Sequence, residues 1–298
     1  MATLRELANL YAKKQPKMVD NLTEQAPILE GINFEEASHG MWNVYEEIQS
    51  ITGAGFVNMN AALPTMSVST DLKKVDLNIM GGEMEVPEDT AKMFGSAEAY
   101  FAKKQGPLLA QIGQDTEYAM LYNNLLAYAY DADDWLNAGG NGNGYSILAV
   151  RWIPGEVCGL FSPEGFKKGA MLDVAWYNGG ALYKNSSGVP VKGLRYKGYF
   201  GLQIGSTRAV NAIFNIETGH LPTKTQVEDL LASVRATPGN TKLYMHTKCK
   251  NLAINPLKAA DVTMQHLSGE VNTLVESFNK IQIVESYNFL DGTEAVRT

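Results

Sequence analysis

The chain has 298 residues, 45% of them hydrophobic and 19% charged, the values of a globular protein of one large domain or two ordinary ones rather than of a disordered chain. Its formal charge of −7 is uneven: residues 1–90 hold 14 acids and 6 bases, a net −8, while the other 208 sum to about +1. This excludes the basic stripe that tight binding to nucleic-acid phosphates requires, and no apolar run approaches the roughly 20 residues that cross a bilayer.

The first predicted element is a short helix. Thr3 and Glu6 have capping-box spacing, Leu4, Leu7, Leu10 and Tyr11 share a stripe, and Pro16 stops it. The segment lacks the apolar core and cleavage site of a signal peptide, so synthesis in a reducing cytoplasm is expected. Over 17–31 the period lapses around Pro27. That is the pattern of an arm lying on another surface, because such a segment cannot bury Leu22, Ile28 and Leu29 by itself.

Residues 33–48 mix acids with Met41, Trp42 and Tyr45, and Gly53 and Gly55 end that piece. Residues 64–72 and 74–80 then alternate, placing Met66, Val68, Thr70 and Leu72 together and Val75, Leu77 and Ile79 together. Gly81-Gly82 predicts a tight turn, with 83–86 returning before Pro87. The result is an extended β-hairpin with charged residues on its second face. Such a ribbon is marginal alone in water, so it must rest on something else, a neighbouring subunit being one candidate.

Gly106-Pro107 punctuates the next region, and Pro107 suits a first helical turn. Leu109, Ile112, Thr116, Ala119, Asn123, Leu126 and Tyr130 recur at threes and fours, which predicts a helix over 107–131, about 37 Å long. Asp115 and Glu117 lie two residues apart, about 200° around its axis, so they are no acid–base pair. They are expected as solvated or interface carboxylates on a long spine.

The glycine-rich run 135–146 lacks both the Lys-Ser/Thr of a phosphate loop and dinucleotide spacing, and predicts a mobile surface loop. Strands are expected at 146–153, 156–161, 198–205 and 211–216, then a helix over 223–235 burying Val227, Leu230, Leu231 and Val234. Short strands at 242–246 and 281–286 follow, with a helical or irregular piece near 251–257. No internal repeat is visible.

No catalytic constellation emerges. His39, His220, His246 and His266 are scattered without metal-ligand spacing, and there is no Gly-x-Ser-x-Gly elbow. Cys249 beside His246 would need converging side chains. Cys158 and Cys249 give no disulfide framework and are expected as buried thiols. No cofactor and no metal site is expected.

Several motifs in one order carry a resemblance: PILEGINFEEASHGMWNVYEEI, NMNAALP and LNIMGGEMEVPEDTA, then VRWIPGEVCGLFSPEG and YFGLQIGSTRAVNAIFNI. Arg151-Trp152, Gly159 to Gly165, Gly201-Leu202, Arg208 and Asn215-Ile216 are its landmarks. Over most of 26–298 the chain resembles the major capsid proteins of tailed phages with the HK97-type fold, in the subgroup found in short-tailed and related phages. That resemblance implies an α+β fold with an N-terminal arm (1–33), an extended loop (56–90) and a peripheral domain (34–55 and 91–224) containing the spine. It implies an axial domain at 225–285 and a return to the periphery over 286–298.

The same resemblance implies pentamers and hexamers closing a shell around double-stranded DNA in the virion, assembled in the host cytoplasm and contacting no membrane. The implied partners are further copies of the chain, a separate scaffolding protein, a portal protein and, in some members of the family, a decoration protein. Inter-subunit contacts fall to Leu22, Ile28 and Leu29 of the arm and to hairpin residues. Leu72, Val75, Leu77 and Ile79 would supply apolar area, while Lys73, Lys74, Asp76, Glu83 and Glu85 would set register more than strength. Some members of the family cross-link a hairpin lysine to a neighbour's asparagine. Lys73 and Lys74 sit near the hairpin, but no partner asparagine or catalytic glutamate is identifiable, and non-covalent joining is expected. A cargo-holding encapsulin, a hydrolytic enzyme and a monomeric binding module remain the rival expectations.

Overall fold

A computed structural model of the chain describes residues 26–93, 95–162, 172–257, 262–266 and 274–298; the expected first helix and Leu22 lie outside these. Pro27 opens a single helical turn, α1 (Pro27–Glu30), followed by β1 (Phe34–Glu36). The strands β2 (Trp42–Thr52) and β3 (Ser67–Asp76) pair antiparallel into a two-stranded ribbon whose tip is 53–66. After one residue the chain enters β4 (Asn78–Pro87) and then a short helix, α2 (Glu88–Met93).

The spine begins ten residues earlier than its sequence pattern suggests. It runs as α3 (Ala97–Ala119), a π turn over Met120–Leu125 and α4 (Leu126–Asp131). Ser96 caps it by accepting from the Ala99 N–H, and Pro107 lies inside rather than at its start. Proline there forfeits a main-chain bond. Ala97 and Phe101 before it, with Leu109 and Ile112 after it, are all buried on one side, and that packing keeps the helix continuous.

Beyond the spine come β5 (Leu136–Asn137), β6 (Tyr145–Arg151), β7 (Val157–Phe161), β8 (Asp173–Trp176), β9 (Tyr183–Lys184), the long β10 (Pro190–Ile204) and β11 (Val210–Ile216). The helix α5 (Lys224–Ser233) starts with a full capping box: Thr223 Oγ accepts from the Gln226 N–H, and the Gln226 side chain accepts from the Thr223 N–H. The strand β12 (Thr241–Met245) leads to a turn, α6 (Thr247–Cys249), and further helical turns to Leu257. The strands β13 (Val262–His266), β14 (Leu274–Phe278) and β15 (Ile281–Glu285) complete the order.

Two larger sheets result. One has the order β1-β7-β10-β4, with β8 and β9 also on β10; the other runs β13-β14-β15-β12-β6-β11-β5. The first half of the spine packs on the first sheet, through Phe101, Leu109 and Ile112 against Val86, Leu194 and Tyr196. Its second half packs on the other, through Met120, Leu121 and Leu125 with Leu148, Val150 and Phe214. The opposite face of that sheet takes Val227, Leu230 and Leu231 of α5. Covered on both faces, β6 and β11 show buried residues without alternation. This seven-stranded sheet is continuous across the boundary expected at 225.

The pair Gly81-Gly82 is not a turn. It lies mid-strand in β4, which pairs with β10 from Val191↔Pro87 to Phe200↔Asn78. A Cβ on Gly81 would stand 2.1 Å from the Tyr196 carbonyl oxygen, so glycine is required by close main-chain approach. Gly81→Ala is expected to cost about 1–3 kcal/mol, seen as a lowered thermal midpoint of the isolated subunit; an unchanged midpoint would show that the strands separate at no cost.

The glycine-rich run is likewise anchored rather than mobile. The N–H of Gly140 donates to the Asn215 carbonyl at 3.0 Å, and Gly144 bridges to Glu294.

Candidate assembly surface

Residues facing each other across an antiparallel pair share one side of the ribbon. Trp42↔Asp76, Val44↔Lys74, Glu46↔Leu72 and Ile48↔Thr70 define one side; Asn43↔Val75, Tyr45↔Lys73 and Glu47↔Asp71 define the other. A bulge between Ile48 and Ser50 takes up the extra residue Gln49, so that Ile51↔Val68 returns to the first side. The first side therefore carries Val44, Ile48, Ile51, Val68 and Leu72.

The second side is turned toward the ribbon's own subunit. Asn43 Nδ2 donates to Gln203 Oε1 at 2.6 Å, the Tyr45 hydroxyl donates to the Ile204 carbonyl at 3.4 Å, and Val75 packs on Leu77, Cys158 and Leu160. The apolar side faces away, leaving Ile48 58%, Ile51 65%, Val68 59% and Leu72 67% exposed. Phe56, Met59, Leu63 and Met66 are exposed at the tip. An ordinary ribbon hides its aliphatic side chains, whereas this one presents them, the mark of an interaction surface.

The sequence-predicted contact residues divide by position. Leu72, Lys74 and Asp76 lie on the outward apolar side, Lys74 bridging Asp76 at 2.6 Å. Lys73 and Val75 lie on the other side, with Lys73 3.0 Å from Asp71 and 3.7 Å from Glu47. Ile79, Glu83 and Glu85 belong to β4, not to the ribbon. They are exposed, with Glu85 accepting from the Tyr183 hydroxyl at 2.7 Å. Leu77, Ile28 and Leu29 are buried in their own subunit, at 5%, 0% and 5% exposure. The expectation that these three wait for a neighbour is corrected, because β7 and the spine already cover them.

The sequence misjudged Glu117 as well. Asp115 is exposed, hydrogen-bonded to Gln111, but Glu117 is fully buried. Its Oε2 accepts the main-chain N–H of Ile28 at 2.8 Å and of Leu29 at 3.4 Å. Its Oε1 accepts the Ser286 hydroxyl and, at 2.9 Å, Asn288 Nδ2. One carboxylate thus ties α1, the spine and the segment after β15 together. Burial pushes its carboxyl above the usual range, against the pull of those four donors. The signal in the sequence is position: Met120 and Leu121, one turn on, are both core residues.

The segment after β15 is strapped down further along. The Tyr122 hydroxyl donates to Glu294 at 2.6 Å and accepts the Leu290 N–H at 2.8 Å; the Asn215 side chain both donates to and accepts from the Arg297 main chain, each at 2.8 Å.

Both cysteines are buried free thiols as expected, burial pushing Cys158 up to about 11 and Cys249 higher still. Among the described residues no cluster of three or more His, Cys, Asp or Glu is placed to hold a metal ion, and no helix is long and apolar enough to cross a membrane.

No protein-family model and no curated sequence matches the chain. Solved structures do. The bacteriophage JBD30 capsid aligns with a TM-score of 0.55 at 10% identity, covering 89% of this chain and 90% of that one. The structure of bacteriophage Epsilon15 aligns with a TM-score of 0.50 at 14% identity, covering 89% and 88%. The holo-SrpI encapsulin complex from Synechococcus elongatus PCC 7942 scores 0.47 at 10% identity over 64% of this chain and 88% of that one, and decides nothing. At such identities a structural match speaks for architecture alone: the chain has the α+β, HK97-type fold shared with the JBD30 capsid and Epsilon15 structures.

Proposed function

We propose that this chain is the major capsid protein of a tailed phage, a non-enzymatic subunit that assembles with its own copies, as pentamers and hexamers, into an icosahedral shell around double-stranded DNA. The observation that carries this reading is the ribbon turned polar side in and apolar side out. Within it, 1–33 serve as an arm, the ribbon over 42–76, in place of the expected 56–90, as the extended loop, and 225–285 as the axial part. Leu22 of the arm and Leu72, Lys73, Lys74, Val75, Asp76, Ile79, Glu83 and Glu85 serve subunit contacts. Each contact is modest, and closure of the lattice sums them. A separate scaffolding protein and a portal complete the set. The net charge of −7 suits a wall that encloses packed DNA without gripping it.

Negative-stain electron microscopy of the purified chain, alone and co-expressed with its neighbouring genes, tests this. Closed polyhedral shells or uniform rings of five and six are expected. Monodisperse monomers under both conditions would overturn the reading and leave the likeness one of fold.

A further inference from the structure

We infer that α1 and the segment 286–298 dock on the spine as one cooperative unit, joined through Glu117, so that lifting either one loosens the other. The inference concerns the isolated subunit and stands whether or not that subunit builds shells.

Neither piece can hold itself. A single helical turn is too short to persist alone, and Ala26 before it offers no side-chain cap. The first N–H groups of such a turn have no partner within it. Those of Ile28 and Leu29 are met by Glu117, 89 and 88 residues away in sequence. The segment 286–298 belongs to no named strand and meets a sheet through the bridge from Gly144 to Glu294. Near its start, Ser286 Oγ donates to Glu117 and accepts the Asn288 N–H at 3.1 Å. Asn288 Nδ2 donates to the same carboxylate oxygen at 2.9 Å. Two pieces without support of their own therefore share one buried acceptor. Ile28, Leu29 and Phe289 also lie in one apolar cluster with Met120 and Leu121 of the spine.

Sharing makes the two pieces interdependent. Glu117 is fully buried, and two of its four donors come from each piece. When one piece lifts, the carboxylate loses two donors and meets water, which competes for the other two. The far end of the segment belongs to the same unit. Tyr122, inside the π turn of the spine, donates to Glu294 and accepts the Leu290 N–H. Ser146 Oγ of β6 donates to that same Glu294 oxygen at 3.1 Å. Single π turns recur at functional positions in helices, and this one sits where the segment crosses the spine. A contact that draws α1 off the spine thus reaches Glu294 through a chain of named bonds, and coupling of this kind is reciprocal.

Hydrogen exchange of the isolated full-length subunit, read at single amides, tests it. Tyr122→Phe removes the hydroxyl that holds Leu290 and Glu294 and takes away no hydrogen bond of α1. It is expected to speed exchange about tenfold at the Glu294 and Arg297 N–H groups, the effect of one lost hydrogen bond. A similar factor is expected at Ile28 and Leu29, with α5 at its wild-type rate. Ser146→Ala loosens Glu294 from the β6 side and should give the same linked rise, so the test survives if one variant folds poorly. Faster exchange confined to 286–298, with Ile28 and Leu29 unchanged, would show the two pieces to be held separately and overturn the inference. A uniform rise that includes α5 would mark global unfolding and overturn it too, as would wild-type rates at Glu294 in both variants.

Discussion

Ile48→Asp combined with Leu72→Asp is expected to abolish shell formation while leaving the subunit folded. Both side chains project from the outward side of the ribbon and touch little of their own subunit, so the thermal midpoint should move by no more than an exposed substitution usually moves it, about 0.5 kcal/mol. In a docked ribbon each would bury its aliphatic surface for about 1–2 kcal/mol. A carboxylate without a partner in that place costs several kcal/mol instead. The loss recurs at every subunit of a closed lattice, so the effect on assembly is all or none. Sedimentation velocity should show subunits or small oligomers where wild type gives shells; shells at the wild-type concentration would sink the assigned role of this face. Leu77→Asp is no substitute. That side chain is buried against Ala37, Cys158 and Leu160, and the variant would unfold the subunit and report nothing about its neighbours.

Glu117→Ala is expected to be the most damaging single change to the subunit itself. It strands the N–H groups of Ile28 and Leu29 and frees Ser286 and Asn288. Buried donors left unmade cost about 1–3 kcal/mol each, so a loss of about 3–5 kcal/mol is expected, or roughly 10 °C in the midpoint for a chain of this size. Glu117→Gln should be far milder. Its oxygen can keep the two main-chain donors and its amide can turn to the Ser286 oxygen. Since the folded carboxyl is raised above its unfolded value, its contribution is fully present below the unfolded value and is lost as pH rises through the folded one. The stability difference between wild type and Glu117→Gln should therefore move in favour of the variant from about pH 4 toward neutrality. A difference independent of pH, or an Ala variant as stable as wild type, would refute this account of the site.

What could be read from the sequence followed from how local each signal was. The helix over α5 shows its cap, its period and its buried face within one short stretch, and the structure returns all three. The alternation over 64–72 was legible and falls largely within β3, but the second run, 74–80, straddles the break at Leu77 and joins the end of β3 to the start of β4. The partner of β3, β2, was not legible, because the bulge at Gln49 breaks the two-residue period halfway along. Gly81-Gly82 gives a correct local signal for a turn and a wrong answer. The ladder that overrules it joins β4 to β10, more than a hundred residues away. Gly106-Pro107 misled in the same way, masking the first ten residues of a spine held by packing on the first sheet. The outward apolar side was partly visible as the stripe from Met66 to Leu72. Which side would face the subunit depended on Asn43 and Tyr45 meeting Gln203 and Ile204, a fact of tertiary structure.

The junction between ribbon and body also has a mechanical meaning. Between β3 and β4 stands a single residue, Leu77, sunk in the small cluster with Ala37, Cys158 and Leu160. From there the chain continues straight into the ladder that starts at Asn78↔Phe200. Whatever grips the ribbon and tugs on it transmits tension through that plug to a long row of main-chain hydrogen bonds. The load would be shared along covalently continuous strands rather than borne by side-chain contacts at the surface, so the joint should yield by stretching the ladder before the ribbon tears free.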